Sequence, residues 1–135
     1  MMAGQLTTHV LDITRGRPAV GMALALWRLN MPYSTISADP ANLATCAPER
    51  TLLLRTLTNK QGRTDTPLLI GDHMAAGVYE LVFAVGTYFT QQATIPDQRP
   101  LLDIVPLRFT IASPEEHYHV PLLASPWAYS TYRGS

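Results

Sequence analysis

Three side chains far apart in the chain, His9, Arg63 and His119, together with the closing run Tyr132, Arg133, Gly134 and Ser135, make a set able to hydrolyse a polar substrate. A histidine near its ordinary pKa can take a proton from water at neutral pH. An arginine presents fixed planar donors that suit a flat, carbonyl-rich, anionic ring. It also stabilises oxyanion charge as water adds to a carbonyl. Ser135 is expected to offer a hydroxyl and, as the last residue, a carboxylate, and either can orient a histidine or the attacking water. Taken singly, each residue has an ordinary reading. A lone histidine on a strand is usually a surface or hydrogen-bonded residue, and an arginine behind a glycine turn is usually solvated. His117 and His119 can also be read as two ligands of a zinc site with His9, although no cysteine or acidic partner stands at ligand spacing. His73, beside Asp72 in a turn-like stretch, reads as a surface residue. Cys46 lies in Ala44-Thr45-Cys46-Ala47-Pro48 with no base attached, and reads as a spare thiol rather than a nucleophile.

The elements that must position these groups are short strands. Leu6 to Asp12 is the first strand, with Thr7, His9 and Leu11 on one face. Gly21 to Leu29 is the second, after the turn Thr14-Arg15-Gly16-Arg17-Pro18. Residues 30 to 50, with three prolines and many small polar residues, read as a long surface loop, unusual in a compact domain. Thr51 to Thr58 is a strand, and Asn59 to Arg63 a tight connection with a glycine where positive φ is expected. Pro67 to Ile70 is a short edge strand, and Gly77 to Val85 alternates well. Thr87 to Ala93 forms a short helix with Thr87 as its N-cap. Leu101 to Ile111 is a strand in which Pro106 demands a bulge or an edge position. The chain closes on a hairpin. His117 to Leu123 alternates, with His117, His119, Pro121 and Leu123 on one face and Tyr118, Val120 and Leu122 on the other. Ser125-Pro126 turns the chain, and Trp127, Tyr129 and Thr131 then point one way. About eight short strands, eleven prolines and eight glycines point to an antiparallel β-sandwich with one helix at most.

HYHVPLLASP, followed by YSTYRGS, resembles the transthyretin-related 5-hydroxyisourate hydrolases. THVLD with GRPA, and Thr58-Asn59-Lys60-Gln61-Gly62-Arg63, resemble two further motifs of that family in the same order, with Gln61 where aspartate is usual. The resemblance covers most of the chain outside the long loop. It implies an all-β, transthyretin-like sandwich of two four-stranded sheets with one short helix. It places His9, Arg63 and His119 on the catalytic histidine, arginine and histidine, and Tyr132, Arg133, Gly134 and Ser135 on the terminal tetrapeptide that lines the active site. His117 then supports the site rather than taking part in the chemistry. The implied reaction is hydrolysis of the ring amide of 5-hydroxyisourate in urate degradation, with no metal or organic cofactor, in a homotetramer whose sites lie in a channel between dimers. The rival reading is a small-molecule carrier using the same channel, because transthyretin itself shares the fold and carries a hormone.

Composition narrows the remaining classes. The 135 residues suit one domain, residues 1–135, with a core that needs no disulfide. Ten basic against ten acidic residues leave no basic excess for nucleic acid. A single cysteine rules out an intrachain disulfide and favours an intracellular protein. No apolar run approaches a membrane span and no secretory leader is visible, so the expected compartment is cytoplasmic or peroxisomal, although the terminal Ser-Lys-Leu address is absent.

Overall fold

A computed structural model describes residues 3–31, 49–92 and 99–134. Eleven strands and one α-helix follow in chain order: β1 (Gln5–Thr7), β2 (Val10–Asp12), β3 (Arg17–Pro18), β4 (Ala23–Leu29), β5 (Arg50–Leu57), β6 (Leu69–Ile70), β7 (Gly77–Ala84), α1 (Val85–Gln92), β8 (Ile104–Ile111), β9 (His117–His119), β10 (Leu122–Ala124) and β11 (Tyr129–Thr131). One layer is the antiparallel sheet β5-β4-β7-β8. The facing layer is two ladders, β6-β1-β9 and β11-β10-β2-β3. Their inner faces meet in one apolar core that joins Leu6, Val10, Tyr118 and Leu122 to Leu26, Leu81, Phe83 and Ile111. β7 shows why these segments are strands: Tyr79, Leu81 and Phe83 are buried at every second position, as a strand with one inward face requires.

The transthyretin-like β-sandwich is therefore present, with two departures from the expected geometry. First, the facing layer is split rather than being one four-stranded sheet. The segment expected as Leu6 to Asp12 divides into β1 and β2, and the segment expected as His117 to Leu123 divides into β9 and β10. Pro121, which lacks an N–H, falls at the second division. At the first, His9 turns part of its backbone pairing from the sheet to Arg63. Second, the sandwich is not wholly antiparallel: β1 pairs parallel with β9, and β2 parallel with β10. Only β10 and β11 form the terminal hairpin, and Trp127 lies in its turn, where Ser125 Oγ accepts from the N–H groups of Trp127 and Ala128.

Other expectations shift by a few residues. The helix starts at Val85, directly behind β7, so Thr87 sits inside the first turn and is not the N-cap. Gly86 N–H donates to the Asp103 carbonyl at 2.9 Å, and the fully buried Val85 fixes the start. Pro106 takes the edge solution: β8 is the outer strand of its sheet and pairs with β7 without a register break. The body of the long loop, Cys46, Ala93 and Ser135 lie outside the described residues. No helix among the described residues is long and apolar enough to cross a membrane.

The turn after β2 is held by a buried carboxylate. Asp12 accepts from the N–H groups of Thr14 and Arg15, from the Arg15 guanidinium and from the Tyr88 hydroxyl at 2.9 Å, which ties α1 to the sheet. Burial, reinforced by Asp12, pushes the Tyr88 pKa up to about 12, so the phenol stays a donor.

Candidate active site

Strand periodicity puts Gln5, Thr7 and His9 on the outward face of the N-terminal segment, while Leu6, Thr8 and Val10 point inward. The parallel ladder sets Gln5 opposite His117 and Thr7 opposite His119. His119 therefore lies diagonally beside His9 on one face. Two backbone bonds clamp the two segments together, from Val120 N–H to the Thr7 carbonyl and from Leu122 N–H to the His9 carbonyl, each 2.9 Å.

Arg63 reaches this face on the turn from Asn59 to Arg63. Asn59 Oδ1 accepts from the N–H groups of Gln61 and Arg63 at 2.9 and 3.1 Å, and the Arg63 carbonyl accepts from Asn59 N–H at 2.7 Å. Gly62 sits at φ 75°, and a Cβ there would come within 2.4 Å of the Val10 carbonyl oxygen. Only glycine allows the turn to lie this close to β2. The same approach pairs Arg63 with His9 in an antiparallel bridge and brings the Gln61 carbonyl within 2.7 Å of His9 Nε2. A carbonyl can only accept, so His9 Nε2 carries a proton.

His119 is half-buried, and its Nδ1 shares a 2.8 Å hydrogen bond with the Thr7 hydroxyl. Burial, then the charges of Arg63 and His9, pull its pKa below the usual histidine range. The ring is therefore neutral, and able to accept a proton, at neutral pH. Gly134 bridges to His119, donating its N–H to the His119 carbonyl at 2.7 Å. A Cβ on Gly134 would lie 2.6 Å from His119 Cδ2, so the glycine lets the terminal segment cross directly over the imidazole.

The structure thus brings His9, Arg63, His119 and Gly134 together. Arg133 and Tyr132 are placed differently. The Arg133 guanidinium stacks 4.1 Å over the Tyr118 ring and donates to the His117 carbonyl at 3.0 Å, with Glu116 at 3.6 Å. Tyr132 is exposed and, with Arg133, lines a groove of 640 Å³ between the terminal hairpin and β8, away from the histidine face. His117 donates from Nε2 to the Ala3 carbonyl at 3.3 Å. Among the described residues no group of three or more His, Cys, Asp or Glu gathers as a metal site, so the zinc alternative of His9, His117 and His119 is not assembled. His73 is exposed on a short 3-10 turn, Gly71–His73. Sequence reasoning missed two contributors. Thr7 was detectable in principle, because it shares the face of His9. The Gln61 carbonyl was not, because a backbone atom leaves no signal in residue type.

Residues 6–134 match the model of the HIUase/Transthyretin family. The chain belongs to that family. It is 44% identical over 134 residues to a 5-hydroxyisourate hydrolase of Halalkalibacterium halodurans, covering 99% of this chain and 100% of that one. Among solved structures, the crystal structure of (S)-allantoin synthase superposes with a TM-score of 0.80 at 41% identity, covering 99% of this chain but only 44% of that one. Transthyretin from Sparus aurata superposes with a TM-score of 0.74 over 96% of both chains at 24% identity, which shows the shared fold alone.

Proposed function

We propose that this protein is an enzyme that hydrolyses the ring amide of 5-hydroxyisourate to 2-oxo-4-hydroxy-4-carboxy-5-ureidoimidazoline, a step of urate degradation. The observation that carries the reading is the assembly of His9, Arg63 and His119 on one face, with the Gly134 backbone laid over His119. The relative whose whole length this chain matches is named for that activity. Only 44% of the allantoin synthase chain is matched, so the activity of that whole protein is not carried over. A carrier has no need of two histidines held by hydrogen bonds beside an arginine. We assign His119 and His9 to activation of water and transfer of its proton, and Arg63 to binding the anionic ring and the oxyanion that forms at the attacked carbonyl. Gly134, laid over His119, borders the substrate end, and Ser135 orients the water or a histidine. The reading needs no cofactor.

The functional form is a homotetramer, a dimer of dimers, in which two outward faces of this kind meet across a two-fold axis and form a channel. The matched bacterial relative supports the cytoplasmic alternative for its compartment. The test is an ultraviolet time course of freshly generated 5-hydroxyisourate with wild type, His119→Asn, and a chain extended past Ser135. Accelerated decay lost in both variants supports the assignment. A folded wild-type protein that leaves the decay unchanged overturns it.

A further inference from the structure

We infer that Thr7 is a positioning residue for His119: its hydroxyl accepts the Nδ1–H of the imidazole and so leaves Nε2, the nitrogen that β1 does not hold, as the ring's proton acceptor. The inference rests on the catalytic reading of His119. Three observations carry it. The parallel register sets Thr7 directly opposite His119, with 2.8 Å between Oγ1 and Nδ1. The Thr7 backbone is itself fixed, because its carbonyl accepts from Val120 N–H at 2.9 Å, and a β-branched side chain on a clamped strand has little χ1 freedom. Neighbouring threonines use their hydroxyls otherwise. Thr8 donates to the Val120 carbonyl at 2.7 Å, and Thr131 to the Pro121 carbonyl at 2.7 Å, both serving the backbone. Of these three, Thr7 alone has its hydroxyl against a ring nitrogen.

The direction of the bond follows from the role assigned to the ring. Nδ1 is taken up by the Thr7 hydroxyl at 2.8 Å, so a proton from water is accepted at Nε2. The proton therefore sits on Nδ1, against the threonine oxygen. The nitrogen opposite a hydrogen-bonded one takes the complementary role. His9 is held at the other nitrogen, since the Gln61 carbonyl accepts its Nε2–H. The two rings are thus held at different nitrogens, each by its neighbour.

Long-range proton–nitrogen correlation spectra of histidine-labelled wild type, Thr7→Val and Thr7→Ser, taken at about pH 8 where a neutral ring is expected, test this. The His119 signals are assigned by their loss in His119→Asn. Wild type and Thr7→Ser should show one tautomer with the proton on Nδ1. Thr7→Val, which keeps the shape and loses the hydroxyl, should shift toward Nε2–H. Its kcat should fall by about tenfold, on the order of a misaligned proton acceptor, with KM little changed, and Thr7→Ser should restore it. An Nε2–H tautomer in wild type, or a Thr7→Val protein with unchanged tautomer and kcat, would overturn the inference. The spectra need no turnover. Retained activity in His119→Asn would sink the catalytic assignment alone, while the tautomer still reports on Thr7.

Discussion

On one side of β9 lies His119, held by Thr7, crossed by Gly134 and faced by Arg63 and His9. On the other side, one residue away, Tyr118 and Val120 look onto a groove of 640 Å³ shared with β8 and the terminal hairpin. Leu107, Phe109, Tyr118 and Val120 line the groove, its two charged residues, Arg108 and Arg133, are both engaged with carboxylates, and no histidine lines it. The groups of the histidine face are instead fixed by bonds to ring nitrogens and by two glycine approaches. The difference shows that an open cavity and chemical readiness are separate properties. The second comes from strand register, which sets residues far apart in sequence side by side.

Substitutions on the two sides should separate these properties. His119→Asn should lower turnover by about a thousandfold, within the range for loss of a general base, with thermal unfolding near that of wild type. Gly134→Ala forces the imidazole or the terminal segment to move, because the new Cβ would lie 2.6 Å from the ring. It should cost up to about a hundredfold in kcat, as for a catalytic group displaced by an ångström, again with the fold retained. On the groove side the order reverses. Tyr118→Phe removes the oxygen that accepts from the N–H groups of Ala112 and Ser113. It should lower stability by about 1 kcal/mol in denaturant titration and leave kcat within about twofold, an outcome in keeping with a role limited to packing.

The smallest effect concerns pH. Because the His119 pKa is depressed in the folded protein, the unfolded chain binds the extra proton first as pH falls. Stability from this group is therefore fully present above about pH 6.5 and declines as pH drops from there through the folded pKa. His119→Asn should flatten that part of the stability profile. In activity, the acid limb of kcat/KM should lie below the usual histidine range. Arg63→Gln, which removes one cause of the depression, should move the limb upward. A limb that stays in place would assign it to another group.

Much of the fold was legible in the sequence because strand alternation and turn residues carry it. β4, β7 and the glycine turn before Arg63 were read almost as they stand. Register was not legible, because it depends on partners far along the chain. The parallel pairings of β1 with β9 and β2 with β10 are invisible to period-two patterning, which tells a strand's faces but not its neighbour. The helix start was missed for a similar reason: Val85 is placed by core burial, not by a cap. For the site, His9, Arg63 and His119 were legible as a set. The positions taken by Arg133 and Tyr132 were not, since an arginine followed by glycine and serine gives no hint that it will stack on Tyr118.

The Thr7–His119 bond spans 112 positions of sequence. That closure brings His119 and Gly134 to the face where His9 and Arg63 are already paired, and it joins β1 to residues made long after it. A chain stalled before β9 can bury parts of β4, β5 and β7, but it has no reactive face and an unpaired β1 edge. Chemical competence thus waits on the making of β9, and a product truncated before it is not a weak enzyme but an inert one with a strand edge open to mispairing.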